Sequence, residues 1–383
     1  MMLPWWFVVL TTVCTTVESG RLMVMKANSG GMQMASNHSH FMKDGKRVFL
    51  SGVNLAWIHY AYDFGNGQFK NSKADMERYM KELHEAGGNS MRVWIFMQGE
   101  SSPDFTTDGH VRALDHQGTY ISDFKEMVAL AKKYNILLFP CLWNGAVVGQ
   151  SLHKMTGVIR DDLKRQSFID NALIPLVKAV KGDPTIGGWD LMNEPEGLVN
   201  TAYRDAEPCF SSLSDGGGWA AKMFTYREFL KFFNWMAAAI KSVDSGALVT
   251  VGANNAYVAT DEFGRTNFYK DECLIKAGGK NTGILDFYTM HTYAWSGWSD
   301  LSPFKHSVGD YKLDKPLIVA EFSTKKSNGM TAPQLYRYVY DHGYSGAWTW
   351  AATDNSAGTP WEDEKKGVAE IRNEKDPLVA FTI

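Results

Sequence analysis

Residues 47–54 read RVFLSGVN and residues 89–96 read NSMRVWIF. Both are short runs rich in apolar and β-branched residues, the pattern of a buried strand. Between them, Ser72–Ala86 has helical spacing and stops at Gly87-Gly88, a pair suited to a helix C-cap. This is a strand–helix–strand unit, and a crossover of that length predicts parallel strands. The segment after the first strand then separates two architectures. An open doubly wound sheet places a glycine-rich phosphate turn there. Gly65-Asn66-Gly67 stands nearby but runs on into Gln68-Phe69-Lys70, which reads as an ordinary loop.

The same alternation continues along the chain. Further strands are expected at Ile136–Trp143, Ile186–Glu194, Ala247–Ala253, Ile284–Tyr293, Pro316–Phe322 and Gly346–Ala351. Helical patterns fill Ile121–Tyr134, Asp161–Lys181, Thr225–Val243 and Ala332–His342. The crossover after the fifth strand, Asp261–Gly279, reads as part helix and part loop. Eight strands with helical crossovers predict an α/β chain folded as one (β/α)₈ (TIM) barrel with enlarged βα loops. Nothing in the sequence looks like a repeat or a low-complexity linker.

Composition narrows the function classes. Of 383 residues, 45% are hydrophobic and 21% charged, enough apolar surface for a folded core. Lys plus Arg (39) nearly balance Asp plus Glu (42), for a net charge of −3, which disfavours a polybasic nucleic-acid binder. The surplus is aromatic: 13 Trp, 16 Tyr and 21 Phe.

Met1–Gly20 reads as a secretory leader, with an apolar stretch from Leu3 to Val13 and Val17 and Ser19 placed for a cut after Ser19. The catalytic domain then spans residues 20–383. A short membrane anchor is the alternative, but the run is shorter than the ~20 residues a spanning helix needs. The expected product is a secreted, extracellular monomer with no membrane attachment after cleavage. Cys141 lies in an apolar run and reads as a buried thiol. Cys209 and Cys273 lie in loop-like stretches and are disulfide candidates, three free thiols being the alternative. Asn37-His38-Ser39 is a glycosylation sequon.

A barrel carries its chemistry at the C-terminal ends of its strands. The fourth strand closes on Asn193-Glu194-Pro195, and Pro195 ends the ladder for want of an N–H. Strict alternation points Asn193 and Glu194 to opposite faces, so both enter one cleft only if the strand bulges or turns. The seventh strand ends on Glu321 within IVAEFS, a carboxylate among apolar neighbours. Two carboxylates converging across a barrel mouth are what glycoside hydrolysis requires. Arg92 on the second strand can hold one of them ionised. His291 and Tyr293 on the sixth are two apart and share a face; Tyr293 can donate to Glu321, and His291 can bond near Glu194. Trp350 on the eighth can form a floor under a sugar ring. Trp57, Trp143, Trp295 and Trp298, at or beyond strand ends, are sugar-stacking candidates. Trp219 and Trp235 read as packing.

These motifs, with GVNLAW, SMRVWIF, GGWDLMNEPEG and LDFYTMHTYAW around them, resemble glycoside hydrolase family 5 over nearly the whole chain, and most of all its invertebrate endo-β-1,4-mannanases. The resemblance implies a retaining hydrolase of internal β-1,4-mannosidic bonds in mannan, glucomannan and galactomannan. It implies Glu194 as acid/base, Glu321 as nucleophile and Asn193 at the 2-hydroxyl. Arg92, His291 and Tyr293 would tune the carboxylates, with Trp350 under the reacting sugar. No cofactor is implied, and no Cys/His cluster has metal-ligand spacing. The chain departs from the family where many members carry His after the third strand: Trp143 or Asn144 takes that place. An endo-β-1,4-glucanase on the same machinery and a non-catalytic carbohydrate-binding protein are the competing expectations.

Overall fold

The structure is a computed structural model describing residues 31–354 and 356–383. The expected leader, Met1–Ser19, lies outside the described residues. Eight parallel strands form a closed barrel: β1 (Leu50–Asn54), β2 (Ser90–Trp94), β3 (Leu137–Asn144), β4 (Trp189–Asn193), β5 (Val249–Ala253), β6 (Tyr288–His291), β7 (Leu317–Glu321) and β8 (Gly346–Thr349). β8 closes on β1, from Gly346 opposite Leu50 to Thr349 opposite Val53.

Most strands are shorter than the sequence predicts. Arg47, expected in the first strand, instead belongs to a small antiparallel sheet of Gln33–Met34, Phe41–Lys43 and Lys46–Arg47. The N-terminal end of the barrel is closed by a plug. Met32, Phe41 and Val48 pack with Leu50, Phe139, Phe287 and Trp348, and Phe139 meets Trp348 at 4.6 Å between ring centroids. Each such side chain contributes about 1.5–3 kcal/mol of apolar burial. The C-terminal tail lies alongside, with the Leu378 N–H donating to Arg47 O. A sealed lower end leaves the strands' C-terminal ends as the place for an open cleft.

The crossover helices are α1 (Phe69–Ala86), α2 (Tyr120–Lys133), α3 (Leu152–Arg160), α4 (Asp162–Phe168), α5 (Ile174–Ala179), α6 (Tyr226–Val243), α7 (Asp271–Gly278), α8 (Ala332–Asp341) and α9 (Trp361–Ile371). Gly87 takes φ 101°, and the Gly87 and Gly88 N–H groups return to His84 O and Leu83 O, so α1 stops there and β2 begins within a few residues. α6 starts with a capping box in which Thr225 and Glu228 satisfy each other's backbone N–H, a device worth about 1 kcal/mol. The single helix expected at Asp161–Lys181 is broken. Asp161 caps α4, a π-helical turn at Ile169–Leu173 follows, and Pro175, which has no N–H to give, falls at the start of α5. Of Asp261–Gly279, only Asp271–Gly278 is α-helical, as α7.

Strict in–out alternation fails at two strand ends. Against β6, β7 carries an extra residue between Val319 and Glu321. Against β5, β4 carries an extra residue between Asp190 and Asn193. Each bulge turns a polar side chain into the mouth that alternation would have sent elsewhere.

Candidate active site

The centre of the mouth is Arg92, fully buried on β2. Its Nε donates to Asp190 Oδ2 at 2.8 Å, and Nη1 donates to Asn54 Oδ1 at 2.9 Å and Glu321 Oε1 at 2.6 Å. Nη2 donates to Asn193 Oδ1 at 3.0 Å. Two carboxylates neutralise this buried cation, and Asp190 is itself fixed by the N–H groups of Gly252 and Met192. Asn54 donates onward to Ala320 O and Thr349 O, tying β1 to its partners across the mouth. A Cβ on Gly252 would lie 2.7 Å from Arg92 Nη2, so only glycine leaves room for the guanidinium. Asp190, Asn54 and Gly252 were missed by the sequence reading. The signal for Asp190 was available as a charge inside the apolar run of β4.

Glu321 is almost completely buried at the end of β7. Arg92 holds Oε1, and the Tyr293 hydroxyl donates to Oε2 at 2.8 Å. Burial pushes its carboxyl up, while His291, the Arg92 guanidinium and the Tyr293 hydroxyl pull it back. Glu194 is built differently. It follows the last residue of β4 in the left-handed region (φ 41°, ψ 59°), a conformation that costs a non-glycine residue about 1–3 kcal/mol. Surrounding backbone bonds enforce it: Glu194 N–H donates to Gly252 O at 2.7 Å, and Gly145 N–H to Asn193 O at 2.7 Å. Thus the turn, rather than alternation, brings Asn193 and Glu194 into one cleft. The Glu194 carboxyl meets His291 Nδ1 at 2.8 Å. Burial pushes it up to about 7, with Arg92 opposing. His291 Nδ1 also lies 3.3 Å from Glu321 Oε2. Burial pulls this imidazole down to about 4, so it is uncharged at neutral pH, hydrogen-bonded to Glu194 and close beside Glu321.

The aromatic candidates separate into three groups. Trp350 and Trp57 form a cage with Trp94 beside Tyr293, with centroids 5.2–5.7 Å apart, and Trp350 Nε1 donates to Asp354. Trp295 is 65% exposed and lines a cavity of about 420 Å³ together with Glu194, His291, Tyr293, Trp219, Asn254 and Tyr257. The expectation of packing for Trp219 is therefore corrected: it is 49% exposed, and its Nε1–H donates to Ala146 O at the cavity edge. Trp235 packs as expected, its Nε1–H donating to Gly278 O.

Two expectations are overturned. Trp143 is buried against Phe96, Phe168 and Phe232, so it faces the helices rather than the cleft. The reason is a shift of phase on β3: Cys141 faces Arg92, and the next residue to face the mouth is Asn144. Asn144 Oδ1 accepts from Asn193 and its amide donates to Tyr60, so Asn144 takes the position after the third strand. Trp298 packs at a tilt against Phe304, 4.8 Å between ring centroids, and belongs to the packing beneath the loop rather than to the cavity lining.

Cys209 and Cys273 form a disulfide that pins the loop after β4 to α7, and Cys141 is a buried free thiol. Asn37 is exposed in a turn near the small sheet.

Comparison with known proteins gives a consistent set. Residues 41–356 match the family model described as Cellulase (glycosyl hydrolase family 5). The chain is 41% identical over 360 residues to a mannan endo-1,4-beta-mannosidase of Mytilus edulis, covering 93% of this chain and 96% of the relative. It is 38% identical to a mannan endo-1,4-beta-mannosidase of Cryptopygus antarcticus, covering 90% and 91%. The solved beta-1,4-mannanase of the sea hare Aplysia kurodai superposes with a TM-score of 0.88 at 45% identity, over 92% of this chain and all of that one.

Proposed function

Because the chain belongs to glycosyl hydrolase family 5, we propose that it is a secreted endo-β-1,4-mannanase working by double displacement with retention. The observation that carries this is the pair itself. Glu194 and Glu321 bring carboxyl oxygens within 4.8 Å of each other, and their surroundings differ. Retaining enzymes hold the two groups about 5–5.5 Å apart, while inverting ones need about 6.5–9.5 Å to admit a water.

Glu321, its charge supported by Arg92 and Tyr293, attacks the anomeric carbon. Glu194, carrying a proton near neutral pH, donates it to the departing glycosidic oxygen. A glycosyl-enzyme ester on Glu321 results. Glu194, now ionised, takes a proton from water, which attacks the same carbon and releases Glu321. Neutral His291, bonded to Glu194 and packed beside Glu321, holds the orientation of Glu194 through both steps. The 420 Å³ cavity touches Glu194 and not Glu321, so it is assigned to the departing half of the chain. The Trp57–Trp94–Trp350 cage is assigned to the half that stays bound. Asn193, held by Arg92 and Asn144, faces the 2-hydroxyl of the reacting sugar.

The preference for mannan rests on the relatives' activity. The extracellular setting is supported by the leader-like N-terminus and by the disulfide, which suits an oxidising compartment. Among the described residues no helix is long and apolar enough to cross a membrane. The test is product analysis on linear mannan, glucomannan, galactomannan and carboxymethyl cellulose. Short oligosaccharides from the three mannans are expected. Cleavage of the cellulose derivative alone would replace this reading with an endo-glucanase.

A further inference from the structure

Two residues beyond Glu194, a second carboxyl is completely buried. Glu196 accepts from the Tyr269 hydroxyl through Oε1 and from the Asn254 N–H at 3.1 Å through Oε2. It forms no ion pair among the described residues. A buried carboxyl is costly unless its oxygens are used, and here both are. Its backbone is used as well: Glu196 O accepts from Gly218 N–H at 2.8 Å, next to Trp219. One residue thus ties three things together. They are the strained turn that carries Glu194, the loop after β4 that presents Trp219, and the loop after β5 that presents Asn254 and Tyr257. Both loops wall the cavity on the Glu194 side.

We propose that Glu196 is a positioning residue for the departing half of the substrate: its carboxyl locks the Asn254–Tyr257 wall onto the turn that aims Glu194. It touches no reacting atom. The lock should therefore matter in proportion to how much of the leaving group lies against that wall.

The inference rests on assigning that cavity to the leaving chain, and the test compares two substrates. Mannohexaose reaches across the wall; an aryl β-mannobioside, with only a small aryl leaving group, does not. In Glu196→Ala, kcat/KM on mannohexaose should fall about tenfold or more, mostly through KM, and on the aryl substrate by less than a third of that factor. Glu196→Gln should recover most of the loss, because an amide can accept from the Asn254 N–H while donating to the Tyr269 oxygen. Should the Ala variant fail to fold, Tyr269→Phe removes one arm of the lock with the ring retained, and the same inequality between substrates is expected at smaller size. Equal losses on the two substrates, an unaffected mannohexaose rate, or a Gln variant as impaired as Ala would each overturn the proposal. If the assignment of the catalytic pair were wrong instead, Glu321→Gln would still cleave the aryl mannobioside. Failure of the Glu196 inference alone leaves that control inactive.

Discussion

The two carboxyl groups of the mouth are the same chemical unit in two different settings. Glu321 ends a strand just past its one extra residue, is almost sealed from solvent, and has a buried guanidinium on one oxygen and a phenol on the other. Glu194 rides on a left-handed residue past the end of its strand, opens toward a cavity, and has one neutral imidazole for a partner. Burial raises both. Glu321 alone has a guanidinium and a phenol bonded to it, so in the proposed mechanism the negative charge is placed there and the proton on Glu194. Glu194 is the more open of the two, but what decides between them is the supply of donors.

The sharpest way to break this comparison is to neutralise each side in turn. Glu321→Gln should reduce turnover by about 10⁴-fold or more on every substrate, because no leaving group can compensate for a lost nucleophile. Glu194→Gln should reduce turnover on mannan by about 10²–10⁴-fold. On an aryl mannobioside with an acidic phenol, its first step should be far less affected, and a burst of phenol should precede a slow steady state. If the burst appeared in Glu321→Gln instead, the two roles would be reversed.

The donors give the next test. The proposed mechanism needs Glu194 protonated, so the alkaline limb of kcat/KM should lie near pH 7 and activity should fall as pH rises through it. The acid limb belongs to Glu321, which must be ionised. Tyr293→Phe removes a donor to that anion and should move the acid limb to higher pH, with kcat lowered by about tenfold. An acid limb that stays in place would mean that Tyr293 does not support the charge. The smallest expected effect lies at the rim: Trp295→Ala should raise KM for mannohexaose by a few-fold with kcat nearly unchanged, the behaviour of a surface that binds ground state and transition state alike.

The barrel was legible because each strand is an apolar run and most long crossovers have helical spacing, and six polar residues of the mouth, Arg92, Asn193, Glu194, His291, Tyr293 and Glu321, were legible because a polar group at the end of such a run has little structural reason to be there. What misled the reading was phase. Trp143 reads as a cleft candidate because it stands at the end of the expected third strand, whereas on β3 Cys141 and Asn144 face inward and Trp143 does not. Glu321 and Glu194 enter the cleft through an extra residue on β7 and a left-handed turn, neither of which a period of two can show. Asp190 and Asn54 were overlooked since their partners lie on other strands, nearly 100 and about 40 residues away from them respectively at Arg92. Trp219 is brought to the cavity by loop contacts, the neighbouring Gly218 N–H donating to Glu196 O and its own Nε1–H to Ala146 O. The break in the predicted helix at 161–181 was foreshadowed by Pro175, but the π-helical turn that absorbs it is a matter of packing.

The central claim is that Glu321 and Glu194 lie close enough, and differ enough, to work by double displacement. The anomeric configuration of the first-formed product reads this directly. Hydrolysis of mannohexaose followed by proton NMR from the first minutes should show β-configured reducing ends appearing first, with the α form growing only by mutarotation. An α product at the earliest times would mean inversion through a water between the carboxyls, and would contradict the account.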